Sequence, residues 1–157
     1  MLSFISEKVE LTEVPPILTR EPIDLGYCRA RLGDQDNLII LHYHKNAELE
    51  LMHIKELVAI GEQIYESTGR STLICNIIEP GFVITREARE YSITPEATRC
   101  GCASATVLHS LAQRIIGNFF RRALNPHLPF KLFQNEEKAM VWLKEMEQKR
   151  MLEGVLG

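Results

Sequence analysis

Residues 38–78 read LIILHYHKNAELELMHIKELVAIGEQIYESTGRSTLICNII, and the fold class turns on this stretch. Its first seven residues alternate, with Leu38, Ile40, His42 and His44 on one side and Ile39, Leu41 and Tyr43 on the other, which is the period of a strand. From residue 48 the period lengthens. Leu51, Ile54, Leu57, Val58, Gly61, Ile64 and Tyr65 fall on one helical stripe, and Glu48, Glu56, Glu62 and Glu66 populate the other side. Gly69 stands where a left-handed cap ends a helix. Residues 72–78 are then almost continuously apolar, the mark of a strand covered on both faces. Strand, helix and buried strand in succession predict a right-handed parallel crossover.

Working outward, residues 25–32 alternate as a strand, and Gly33-Asp34-Gln35-Asp36-Asn37 is dense in turn formers, so a hairpin precedes the crossover. Residues 1–24 read as an extension with room for one short strand, interrupted by Pro15-Pro16. Downstream, Pro80-Gly81 turns the chain and Thr85 caps a short helix through Arg86 and Arg89. Thr94-Pro95-Glu96 repeats the start signal with proline in the first turn. A small-residue strand over 102–108 leads into a helix carrying Leu111, Ile115, Ile116, Phe119 and Phe120, stopped by Asn125-Pro126. A short strand at 130–133 and a helix capped by Asn135 complete the order. The prediction is one α/β domain over 25–147: a mixed, mainly parallel five-stranded sheet with helices on its faces, followed by a tail at 148–157.

Composition sets the boundaries of function. The chain has 157 residues, 45% hydrophobic and 25% charged, a globular balance that excludes disordered and fibrous classes. A net charge of −3 argues against a nucleic-acid-binding domain. No run of about 18 apolar residues exists to cross a membrane. The N-terminal residues lack a signal peptide's basic start and apolar run, so the expected location is cytoplasmic, with Cys28, Cys75, Cys100 and Cys102 as reduced thiols.

The order of elements, together with Ile84-Thr85-Arg86-Glu87-Ala88-Arg89-Glu90, Ile115-Ile116-Gly117-Asn118-Phe119-Phe120, Phe130-Lys131-Leu132-Phe133 and Trp142-Leu143, resembles small bacterial STAS/SEC14-type proteins. The resemblance spans about residues 25–147 and rests mostly on packing motifs. It implies the fold of the anti-sigma-factor antagonists, shared with lipid-carrying SEC14 domains. In the antagonists a serine capping the helix after the central strand is phosphorylated by a partner kinase. The position nearest to it here is Thr85, preceded by Ile84 and followed by Arg86-Glu87 where the antagonists carry an acidic and small residues.

Three groups of residues are candidates for chemistry. A phosphate on Thr85 would meet a helix N-terminus with Arg86 and Arg89 nearby, beside the Gly81 turn, whereas an unmodified Thr85 is an ordinary cap. Cys100-Gly101-Cys102 has neither the spacing of a structural zinc site nor that of a redox pair, and no metal or cofactor is implied. His109 and Ser110 follow a buried strand, at the end of a parallel sheet where ligands bind. His53 reads as part of a solvated helix face. Finally, the 39 residues from Ala97 to Asn135 contain no acid, so Arg121 and Arg122 beside Phe119 and Phe120 could make a local anion-binding edge. No nucleophile and base can be paired in this set.

The expectation is a non-catalytic regulatory domain that docks another protein through residues 81–89, with homodimerisation open. The alternative is a carrier or sensor of a small apolar or anionic, lipid-like ligand. A cavity discriminates them: a carrier needs a concave apolar site of several hundred Å³.

Overall fold

The computed structural model describes residues 14–110 and 128–156. Its main sheet is built from β1 (Ile23–Asp24), β2 (Cys28–Leu32), β3 (Leu38–Tyr43), β5 (Thr72–Ile78), β7 (Gly101–Leu108) and β8 (Phe130–Phe133), lying side by side in that order. The first three pair antiparallel and the rest join in parallel. The sheet is therefore mixed and mostly parallel, but it has six strands where the sequence predicts five. The added member is β1, which falls in the N-terminal extension where the sequence leaves room for one short strand. Two residues are too few to show a period, and Asp24 ends the strand by accepting the Gly26 N–H at 2.8 Å, which turns the chain into β2.

A second, two-stranded parallel sheet pairs β4 (Glu48–Leu49) with β6 (Val83–Ile84), and the sequence reading does not include it. The helices are α1 (Leu51–Thr68), α2 (Arg86–Ser92), α3 (Pro95–Thr98) and α4 (Glu136–Leu156). Their ends follow from local chemistry. Gly69 caps α1 at φ 69°, and the Thr85 and Thr94 hydroxyls accept from Ala88 and Ala97 N–H at 3.2 Å. Asn135 Oδ1 accepts the Lys138 N–H at 2.9 Å to start α4. That helix runs on through the residues read as a tail.

Each face of the sheet has its own core. On one side Ile39, Leu41, Tyr43 and Ile78 meet Ile54, Ile60 and Ile64 of α1 and Ala88 of α2. On the other, Leu38, Ile40, Leu73, Cys75 and Ile77 join Ala103, Ala105 and Val107 beneath Ala139 and Leu143 of α4. The alternation in residues 38–43 thus serves two buried faces. Residues 111–127, where the sequence predicts a helix, lie outside the described residues.

Candidate functional site

On the α1 face the side chains leave a cavity of about 720 Å³, within the range of small-molecule sites. Its floor is the sheet, with Ile39, Leu41, Ile74, Ile78 and Leu108 exposed to it. Leu57, Val58 and Gly61 of α1 form a wall, and Phe82, Ile84 and Ile93 close another side. Phe82 is held by Tyr43, their ring centroids 4.8 Å apart. Two features separate this cavity from an imperfectly filled core.

The first is Gly61. A glycine inside a helix costs about 1 kcal/mol relative to alanine. Gly61 is buried, yet a Cβ built on it meets nothing within 4 Å, so neither a crowded neighbour nor a positive φ requires glycine here. What its missing side chain preserves is space.

The second is a polar strip on the floor. Asn76 of β5 stands opposite Thr106 of β7, with Ser104 two residues earlier, and all three line the cavity. Asn76 Nδ2 donates to Ser104 Oγ at 3.1 Å, and Tyr43 O–H donates to Asn76 Oδ1 at 3.3 Å. Burial pushes the Tyr43 hydroxyl far above the usual tyrosine range, so it remains a donor. Charge is carried by Glu62, Arg89, Glu96 and Arg99 among the lining residues, and Arg99 is joined to Glu62 at 2.9 Å.

The sequence-derived candidates are divided by this geometry. Gly81 and Arg89 line the cavity, whereas Thr85 and Arg86 do not. Arg86 is exposed and paired with Glu90 at 2.8 Å. Gly81 has φ 81°, and a Cβ there would meet the Asn46 amide oxygen, so this turn needs glycine sterically. Thr85 acts as a cap, and Thr85→Ala is expected to lower stability by about 1 kcal/mol, seen as an earlier urea midpoint with unchanged slope.

His109 and Ser110 are exposed at the end of β7 and are not among the residues lining the cavity, which runs along the sheet face instead of across its crest. Phe119, Phe120, Arg121 and Arg122 lie outside the described residues. In the part of the acid-free stretch that is described, Arg99 finds its acid on α1, which shows how a gap in sequence is filled in space.

The remaining candidates have structural explanations. Cys100 lines the cavity while Cys102 packs in the core beneath α4, because a register shift near Thr72 turns the strand. Desolvation raises the Cys102 thiol and pushes Cys28 and Cys75 up to about 12, which keeps all three protonated at neutral pH. Among the described residues no three His, Cys, Asp or Glu side chains group as metal ligands. His53, expected on a solvated face, stacks on Tyr27 with centroids 4.2 Å apart and accepts the Glu50 N–H at 2.9 Å, so it closes the start of α1. No helix among the described residues is long and apolar enough to cross a membrane.

For the carrier alternative the sequence suggests a pocket between the sheet and the helix carrying Leu111, Ile115, Phe119 and Phe120, which lies outside the described residues. It does not place one against α1, although both signals of that cavity were visible: a glycine in the apolar stripe of α1 and an asparagine inside the apolar run of β5. No curated protein and no solved structure matches the chain. A family model described as a domain of unknown function, DUF7793, matches residues 33–147, from the hairpin turn into the last helix. With most of its length matched, the chain belongs to the DUF7793 family.

Proposed function

We propose that this domain is a non-catalytic, cytoplasmic carrier or sensor of a small, largely apolar molecule, which it holds between the sheet and α1. The observation that carries this reading is the apolar cavity of about 720 Å³, kept open at Gly61 at the expense of helix stability. A STAS/SEC14-type plan fits the same picture. In support of it, β3, β5, β7 and β8 succeed one another across the sheet, and α1 and α2 pack on one face while α4 packs on the other.

Regulated docking through residues 81–89 is a second reading, and one observation favours it. Gly81, Phe82, Val83, Ile84 and Arg89 form part of the cavity wall, while Val83 is also 53% exposed. An occupant would therefore touch the inner side of a segment whose outer side a partner could reach, which is how a sensor would report its ligand.

The test is a fluorescence titration with N-phenyl-1-naphthylamine, an uncharged apolar dye that brightens out of water. The expected result is saturable uptake of one dye per chain, reversed by 2-undecanone. Uptake that never saturates, or that an excess of 2-undecanone leaves in place, would contradict the proposal.

A further inference from the structure

An entirely apolar ligand would be served by an entirely apolar floor, and burying an amide and two hydroxyls there needs a reason. The hydrogen bonds of the floor supply one. Asn76 Nδ2 lies 3.1 Å from Ser104 Oγ, 3.4 Å from the Ala105 carbonyl and 3.5 Å from Thr106 Oγ1. The Ala105 carbonyl settles which way the amide faces, since an amide oxygen placed there would confront another acceptor. Tyr43 O–H completes the arrangement from the other end by donating to Asn76 Oδ1.

With the amide in that orientation, its two N–H protons are shared among the Ala105 carbonyl and the two hydroxyls, which act as acceptors, and each hydroxyl still carries its own proton. Among the described residues no acceptor takes either one, although Ser104 is only 8% exposed. The result is a pair of O–H donors, two residues apart on β7, lining an apolar cavity. An ionised head group is disfavoured there. A bare charge on this floor would be costly, and the lining cations, Arg89 and Arg99, belong to α2 and the end of α3 and not to the floor strands, with Arg99 already paired to Glu62.

We infer that Ser104 and Thr106 form a subsite for the carbonyl oxygen of an uncharged acyl compound such as an ester or ketone, whose hydrocarbon part fills the rest of the cavity. Asn76, itself fixed by Tyr43, positions the two hydroxyls by donating to a lone pair on each and leaving their protons for the ligand. The inference rests on the ligand-binding reading above and adds the chemistry of the ligand's polar atom.

The experiment compares 2-undecanone with 2-methyl-1-undecene, in which a methylene replaces the carbonyl oxygen, by displacement of N-phenyl-1-naphthylamine. In a Ser104→Ala/Thr106→Val variant, affinity for the ketone is expected to fall about tenfold, the loss of two neutral hydrogen bonds. Affinity for the olefin is expected to hold or rise. Equal changes for both compounds, or no change for either, would overturn the subsite while leaving the cavity reading intact. Failure of the natural protein to bind either compound would overturn the cavity reading and the subsite with it. Should the double variant unfold, Thr106→Val alone keeps side-chain shape and is expected to weaken only the ketone, about threefold; equal weakening of both compounds would again overturn the subsite.

Discussion

The Gly61→Leu variant is expected to fold at least as stably as the natural protein and to bind N-phenyl-1-naphthylamine about a hundredfold more weakly. Both halves of that result come from the same missing side chain. Leucine is among the better helix formers, so removing the glycine restores about 1 kcal/mol of helical preference. A Cβ at this position meets no atom within 4 Å and Gly61 lines the cavity, so the new side chain is expected to grow into that space. Its four carbons exclude about as many ligand carbons. At about 0.8 kcal/mol for each buried methylene this removes about 3 kcal/mol of binding, or two decades in Kd. Denaturation and dye titration on one preparation check the two halves. A variant that binds normally would show that the dye sits elsewhere. One that unfolds would show that Gly61 is needed for packing.

Leu143→Ala is expected to have the largest effect on stability, lowering it by about 4 kcal/mol, without any direct effect on the cavity. Leu143 is fully buried on the opposite face of the sheet, packed with Leu73, Cys75, Ala103, Ala105 and Val107. Truncation at such a site removes the transfer energy of the side chain and leaves a void, and the cost rises where the surroundings cannot collapse. Here they cannot, because the lining is short side chains on central, hydrogen-bonded strands. A loss of that size is a large share of the stability of a domain this long. Chemical denaturation of the variant checks it, and a shift below about 1 kcal/mol would mean that α4 contributes far less to the core than its burial implies.

The contrast between the two faces explains how much the sequence could disclose. Small residues at Ala103, Ala105 and Val107 face α4 at close range, and the apolar periods on either side of the sheet were readable as strands and helices. Caps at Thr85, Thr94, Gly69 and Asn135 were equally legible, because capping is decided within one turn. The pairs Glu48–Leu49 and Val83–Ile84 were not, and the short strand allowed for in the N-terminal extension could not be placed at Ile23–Asp24, since two residues carry no period and their pairing is decided by distant partners. A cavity is harder still to read, because it is defined by atoms that are absent. Gly61 and Asn76 signalled it only as exceptions to their own patterns, one a poor helix former in a helix and the other a polar residue in a buried strand. The His109-Ser110 expectation failed to reach the cavity for a related reason. It assumed that ligands gather at strand ends, whereas here the open space lies along β5 and β7.

Where a ligand sits is the central claim, and a two-dimensional NMR titration of the labelled protein with 2-undecanone tests it most directly. The account predicts ligand-to-protein contacts with Ile74, Leu57 and Val58, and amide shifts at Gly61, Asn76, Ser104 and Thr106. Contacts confined to the α4 face, or spectra unchanged by saturating ketone, would contradict it.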